Sequence, residues 1–156
     1  MSTRVADGLG LVARLVLGTV FLVAGALKVP TPEALAKATQ AYQVLPHDVA
    51  AYVGYALPIA EVILGLLLSL GLFTRASAVI SSLLLVAFII GIAQAWARGL
   101  TIDCGCFGGG GTVSADETSY LPRILEDFGL LACGLWLSWR PKSPLSLERA
   151  IFGPAD

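Results

Sequence analysis

One apolar run, residues 76–97, restricts the fold of this chain more than any other feature. It contains no charged residue, and Gln94 is its only strongly polar side chain. A helix needs about 20 apolar residues to cross the hydrocarbon core of a bilayer, and this run is long enough. Only helices and closed barrels satisfy their backbone hydrogen bonds in lipid, and the run lacks the alternating pattern of a barrel strand. It therefore predicts a transmembrane α-helix.

Three further segments have a similar length and apolar character, namely residues 9–27, 49–73 and 121–139. The first contains Arg14, the second contains Glu61, and the last carries Asp127 near its start. Together with the uncharged run they predict an all-α integral membrane protein that folds as a four-helix bundle. We expect one transmembrane domain over residues 1–140, followed by a cytoplasmic tail over residues 141–156.

The composition supports a membrane protein and excludes several other classes. Hydrophobic residues make up 56% of the chain and charged residues 13%, whereas soluble domains carry roughly a quarter charged residues. Ten basic and eleven acidic side chains give a formal net charge of −1. This balance removes the basic surface that nucleic-acid binding requires. The expected surroundings are therefore the lipid bilayer and protein partners.

Four spans place both termini on the same side of the membrane. The Lys and Arg residues that flank this side are Arg4, Arg75, Arg140, Lys142 and Arg149, and those on the other side are Lys28, Lys37, Arg98 and Arg123. The positive-inside rule then predicts cytoplasmic termini, with residues 28–48 and 98–120 outside. Within the first outer segment, the proline and alanine content of residues 32–37 favours a short interfacial helix.

The sharpest local motif is Asp103-Cys104-Gly105-Cys106-Phe107-Gly108, within a glycine-rich outer segment. Two cysteines separated by one residue form a disulfide only in a strained ring, and Gly105 eases the backbone geometry that the ring requires. Strained, exposed disulfides are the labile or catalytic ones. The motif therefore predicts thiol–disulfide exchange at Cys104 and Cys106, with Asp103 either disfavouring the thiolate or accepting a thiol proton.

Other interpretations of the cysteines stay open at this stage. A static disulfide would only hold the loop closed. A copper or zinc site would use Cys104, Cys106 and His47, but two thiolates are too few ligands on their own, so we assign no metal ligand. Cys133 lies within the last span, where it is either a small buried residue or a resolving thiol.

The charged residues inside the spans must be paired or face a polar cavity. We expect Glu61, near mid-membrane, to pair with Arg14 of the first helix. Such a pair is either a structural latch or part of a polar site that handles protons or a quinone headgroup. Lys28 either extends its ammonium group to the interface or pairs with Asp127 or Glu126 beneath the cysteine loop.

Several of these residues also resemble the motifs of a known family. The first helix resembles the signature of DoxX-like membrane proteins in Arg14-Leu15-Val16-Leu17-Gly18, Phe21, Ala24-Gly25 and Lys28. The second helix resembles the same group in Pro58, Glu61 and Gly65. The motif of residues 103–108 resembles the branch related to the methylamine utilisation protein MauE. The resemblance covers about residues 10–140.

This resemblance implies a four-helix bundle in the cytoplasmic membrane of a bacterium. It also implies redox maturation of extracytoplasmic proteins, often beside a thioredoxin-like partner. Carried over to this chain, it indicates Cys104 and Cys106 as the redox pair. Arg14, Lys28 and Glu61 are then its signature polar positions.

Two functions of different classes follow. In the first, Cys104 and Cys106 exchange a disulfide with a thioredoxin-like partner outside the membrane, and electrons pass to or from a carrier such as a quinone. The sequence fixes no cofactor, so the quinone is a hypothesis. In the second, the chain is a non-catalytic accessory or scaffold subunit of a larger membrane complex.

Overall fold

The computed structural model describes residues 3–103, 111–112, 120–140, 147 and 151. This part of the chain contains four long helices, one short helix and a two-stranded antiparallel sheet. The helices are α1 (Thr3–Lys28), α2 (Pro32–Ala41), α3 (His47–Leu70), α4 (Thr74–Ala97) and α5 (Tyr120–Trp139), and the strands are β1 (Ile102–Asp103) and β2 (Gly111–Thr112). The all-helical class predicted from the apolar runs is confirmed.

Three of these helices are long and apolar enough to cross a membrane. The candidate spans are Val5–Lys28, His47–Leu70 and Thr74–Ala97. Helix α5 has a suitable length but carries Arg123, Glu126 and Asp127 in its first turns, and it is not among the three. The protein is therefore a multi-pass membrane protein, whereas the passage of α5 through the bilayer stays a prediction.

Helices α1 and α3 run antiparallel and nearly touch along their backbones. A Cβ atom added at Gly65 would lie 2.5 Å from the backbone nitrogen of Leu22, and one added at Gly25 would lie 2.8 Å from the carbonyl oxygen of Pro58. Small residues at such positions let membrane helices approach closely. These glycines therefore fix the register of α1 against α3, which decides the partners of the charged residues discussed below.

The four long helices share one apolar core. Its buried members come from α1, α3, α4 and α5, and they are Ala13, Leu17, Phe21, Leu64, Leu68, Ala78, Leu85 and Leu137. Helix α5 packs closely on α4, where Gly134 lies against Ser82. Because α5 contributes Leu137 to this core, it belongs to the same packed unit as the three candidate spans.

Helix α2 packs across the beginning of α3. A Cβ atom at Gly54 of α3 would lie 2.7 Å from the Cα atom of Ala36. Leu35 and Ala36 are buried in this contact. The structure thus contains a helix over the segment expected to form one, and its location at the membrane surface stays a prediction.

The strands β1 and β2 form a short hairpin base. Ile102 pairs with Thr112 and Asp103 pairs with Gly111. The hairpin base also contacts α2. The residues that flank the segment 104–110, Asp103 and Gly111, therefore lie next to each other.

Candidate functional site

A buried salt bridge joins Lys28 to Glu61. The Nζ atom of Lys28 donates hydrogen bonds to Oε1 and Oε2 of Glu61 at 2.7 and 2.8 Å. Both side chains are only 3% exposed. Lys28 lies in the last turn of α1, where a cation also interacts favourably with the negative end of the helix dipole.

This pair corrects two expectations for the charged residues. Glu61 was expected to pair with Arg14, and the structure pairs it with Lys28 instead. The register explains the error, since Gly18, one turn after Arg14, faces Ser69 of α3. Arg14 and Glu61 are then separated by about 15 Å along the helix axes, at a rise of 1.5 Å per residue. Lys28 was also expected either to reach the interface or to pair with Asp127 or Glu126, and it does neither.

Arg14 is nevertheless a buried residue, with a relative exposure of 2%. It lies towards the opposite end of α1 from Lys28. The predicted polar positions Arg14, Lys28 and Glu61 therefore do not form one cluster: Lys28 and Glu61 come together, and Arg14 lies apart from them.

A cavity of about 340 Å³ lies beside the Lys28–Glu61 pair. Its apolar walls come from α1, α4 and α5, and include Val20, Phe21, Ala24, Leu85, Phe88 and Leu130. Asp127 of α5 lines it as well. Pairing of Lys28 with Asp127 was one of the expected alternatives, and the structure brings both residues to this cavity without a hydrogen bond between them.

Asp127 has an unusual environment for a carboxylate. Its relative exposure is 8%, and its Oδ2 atom has no hydrogen-bond partner among the residues that the structure describes. On the same helix, Arg123 pairs with Glu126 at 2.9 Å on the exposed lip of the cavity. Buried polar atoms are normally hydrogen-bonded, so an unpartnered carboxylate oxygen in a cavity wall indicates a place for a ligand group or a proton.

The cavity opens between α1 and α5. Its rim residues Val16 and Leu125 are 44% and 62% exposed. Gly129, also at the rim, has no atom within 4 Å of the place where a Cβ atom would stand. Cys133 is another wall residue and a free thiol, partly buried against the core. Whether Cys133 takes part in redox chemistry stays a prediction.

A second cavity, of about 420 Å³, lies between α2, α3 and α4. Lys28 and Phe88 line both cavities. The Nζ atom of Lys28 lies 6.0 Å from the centroid of the Phe88 ring, at the outer range of a cation–π contact. Sequence analysis missed Phe88 and both cavities, because nothing in an apolar run shows which side chains leave space between helices.

The base of the cysteine segment is held by Tyr120. Its hydroxyl group donates a hydrogen bond to the carbonyl oxygen of Leu100 and accepts one from the backbone N–H of Ile102. The Tyr120 ring stacks on Trp96 with a centroid distance of 6.2 Å. Cys104 and Cys106 themselves lie outside the described residues, so the structure leaves their predicted pairing untested.

The metal hypothesis is equally untested. His47 begins α3 and is exposed. The described residues contain no group of three or more potential metal-binding side chains. Because two of the three ligands considered, Cys104 and Cys106, lie outside this part of the chain, the absence does not decide the question.

Comparison with known proteins identifies the family. The family described as methylamine utilisation protein MauE matches residues 6–140, which is most of the chain. The chain belongs to the MauE family. This match confirms the resemblance predicted from the motif of residues 103–108, while the DoxX-like resemblance stays a prediction. No curated protein and no solved structure matches this MauE family member significantly.

Proposed function

We propose that this MauE family protein is a membrane thiol–disulfide redox protein whose reactive pair is Cys104 and Cys106. The observation that carries the proposal is the pairing of Asp103 with Gly111, which holds together the two ends of the segment containing both cysteines. Cys104 and Cys106 are separated by one residue in the sequence, and two cysteines with this spacing form a strained disulfide of the labile kind. Asp103 directly precedes Cys104 in the chain, so a carboxyl group is adjacent in sequence to the cysteine pair.

The reaction is an exchange with a thioredoxin-like partner. A thiolate of the partner attacks one sulfur of the Cys104–Cys106 disulfide and forms a mixed disulfide, while the other cysteine leaves as a thiolate. The second thiol of the partner then displaces the first cysteine. The partner gains a disulfide, and Cys104 and Cys106 become a dithiol. A quinone accepts the two electrons and two protons of that dithiol, which forms a quinol and restores the disulfide.

The same steps in reverse would reduce the partner at the expense of a quinol. Neither direction changes the residues required, because the exchange and the carrier step are both reversible. The direction is set by the reduction potentials of the partner and the quinone pool. The trapping experiment below reports it through the resting state of the two cysteines.

We place this chemistry on the outer face of a bacterial cytoplasmic membrane, with both termini in the cytoplasm. Support comes from the packing of α5, which contributes Leu137 to the core shared by the three apolar helices. The charges of its first turns are also accommodated, since Asp127 is buried in the cavity wall and the partly exposed Arg123 and Glu126 form an ion pair. A helix arranged in this way can serve as a fourth span.

The test is thiol trapping in intact cells, followed by mass determination of the alkylated protein. Wild type and Cys106→Ala are compared under normal and reducing growth, and Cys133→Ala tests separately whether the thiol of the last helix takes part. We expect a Cys104–Cys106 bond that changes with growth conditions, and a mixed disulfide between Cys104 and a thioredoxin-like protein in Cys106→Ala. Wild-type behaviour of Cys133→Ala would mean that the exchange does not require Cys133.

A different outcome would favour a non-catalytic role. The redox proposal would be overturned if the cysteines keep one redox state under both growth conditions, Cys106→Ala forms no adduct and its growth is unchanged. Recovery of a stoichiometric membrane complex in mild detergent, unaffected by replacing both cysteines, would then assign the chain as an accessory subunit.

A further inference from the structure

The cavity beside Lys28 contains one carboxyl group more than its cations balance. Lys28 is paired with Glu61, and Arg123 is paired with Glu126. Asp127 is left as a third carboxyl, buried to 8% exposure and with Oδ2 unpartnered among the described residues. An isolated carboxylate is strongly disfavoured in an apolar interior, so Asp127 can hold a proton there.

The Lys28 ammonium group also has unused hydrogen-bonding capacity. An ammonium group has three N–H donors. Two of them bind the Glu61 carboxylate, and the described residues provide no third acceptor. The cavity thus offers a donor on one wall and a buried carboxyl on another, within otherwise apolar surroundings. Each ion pair is neutral, and Asp127 is neutral when it holds a proton, so the complementary ligand is uncharged.

We propose that this cavity binds the headgroup of a lipid-soluble quinone, with Lys28 donating to one carbonyl oxygen and Asp127 serving as the proton donor. The volume of about 340 Å³ lies within the range of roughly 300–1,000 Å³ that small-molecule sites occupy. A quinone headgroup is uncharged, accepts hydrogen bonds at its carbonyl oxygens and takes up protons on reduction. These properties match the Lys28 donor, the Asp127 carboxyl and the apolar walls of the cavity.

The position of the opening supports a ligand that arrives from the bilayer. The rim residues Val16 and Leu125 are exposed apolar side chains on α1 and α5. Gly129 leaves the rim without a side chain between these two helices. A headgroup can therefore enter sideways while its isoprenoid tail stays in the lipid.

Helix α5 connects this cavity to the cysteine segment. Tyr120 holds the base of that segment, and Asp127 lies two turns further along the same helix, at a distance of about 10 Å. This inference rests on the proposed function, in which the Cys104/Cys106 dithiol supplies the electrons. The dithiol becomes a disulfide and the quinone becomes a quinol. Two electrons pass from the dithiol to the quinone. The dithiol also releases two protons, of which one enters the quinone and the other replaces the proton that Asp127 gives to the quinone, so the step balances.

Binding is tested on the full chain in detergent by equilibrium dialysis against decylubiquinone. The variant Gly129→Phe fills the rim without changing a charge, because a Cβ atom at this glycine meets no atom within 4 Å. Gly8→Phe is the matched control, since Gly8 is a helical glycine of α1 with equally open surroundings and no part in the cavity. We expect Gly129→Phe to weaken binding about tenfold or more, equivalent to about 1.4 kcal/mol, and Gly8→Phe to leave it unchanged.

Proton delivery is tested by Asp127→Asn, which preserves shape but removes the acidic proton. Decylubiquinone should still bind within about threefold of wild type, since the headgroup contacts and the volume are retained. The rate at which the reduced protein forms decylubiquinol should fall by about a hundredfold, the usual effect of losing a positioned general acid. Circular dichroism and size-exclusion profiles of each variant identify misfolded protein, which is excluded from the comparison.

The outcomes separate this inference from the proposed function. Decylubiquinone binding that survives in a Cys104→Ser/Cys106→Ser variant and is lost in Gly129→Phe supports the cavity assignment even if no thiol exchange is found. The cavity assignment alone would be overturned if thiol exchange with a partner is normal but wild type does not bind decylubiquinone. The same holds if wild type and Gly129→Phe bind decylubiquinone equally. An unchanged rate of quinol formation in Asp127→Asn would remove Asp127 from the proposal.

Discussion

Lys28 binds both carboxylate oxygens of Glu61, and this contact joins the end of α1 to the middle of α3. The pair is 3% exposed on both sides, so neither charge has water to replace a lost partner. Removing one member of a buried ion pair is strongly destabilising, at about 3–5 kcal/mol, because it leaves the other charge uncompensated. The same contact holds Lys28 at the wall shared by both cavities.

Replacing Lys28 by Met should therefore lower the stability of the protein by about 3–5 kcal/mol. The measurement is unfolding of the purified protein in detergent, compared with Lys37→Met, which removes an exposed lysine of α2 and should be neutral. The double variant Lys28→Met/Glu61→Leu should recover most of the loss, since no charge is then buried alone. Equal stability of Lys28→Met and Lys37→Met would contradict the pair as described.

The glycine contacts between α1 and α3 give a second prediction. Gly65→Leu forces a side chain against the Leu22 backbone, where even a Cβ atom would lie at 2.5 Å. Overpacking of this kind costs about 1–3 kcal/mol or more. Gly129→Leu is the matched control, because its surroundings are open. Thermal unfolding in detergent should show a lower midpoint for Gly65→Leu, and midpoints that agree for the two variants would disprove the close approach of the helices.

Much of this architecture could be predicted from sequence, because it depends on local properties. The length and apolar character of the runs predicted α3 and α4 within three residues at each end, whereas α1 begins six residues before its predicted start. An unpaired carboxylate is costly within a membrane span, which predicted that Glu61 needs a partner. These inferences use only the chemistry of one segment at a time.

The identity of that partner depends on the register of two helices, which no single segment contains. Arg14 and Lys28 are both cations of α1, and only the contacts of Gly18 and Gly25 with α3 decide which of them reaches Glu61. The cavity depends on the rotation of α5, which turns Asp127 inwards and leaves Phe128 at 53% exposure. Hydropathy alone does not define that rotation, since charged and apolar residues alternate in the first turns of this helix.

The hydroxyl group of Tyr120 gives a third prediction, concerning the base of the cysteine segment. Tyr120→Phe keeps the ring on Trp96 but leaves the Leu100 carbonyl group and the Ile102 N–H without their partner. Loss of a partner for a buried polar group costs about 1–3 kcal/mol. Hydrogen exchange at Ile102, followed by mass spectrometry, should therefore accelerate roughly fivefold or more. Tyr52→Phe, at a side chain that is 75% exposed, serves as the control and should exchange as wild type. Equal exchange in both variants would remove Tyr120 as the anchor of this segment.

The course of α5 gives the final prediction, because the proposed orientation requires this helix to cross the bilayer. Its 20 residues span about 30 Å, which matches the hydrocarbon core. In a variant without native cysteines, Thr31→Cys should react with a membrane-impermeant maleimide in intact spheroplasts, whereas Arg140→Cys should react only after permeabilisation. Both positions are exposed in the protein, so accessibility depends on the side of the membrane and not on burial. Phe73→Cys, between α3 and α4, is the control for the cytoplasmic side. If Arg140→Cys is labelled from outside while Phe73→Cys is protected, both ends of α5 lie on the same side of the membrane. The cavity rim would then face the membrane interface instead of the lipid core.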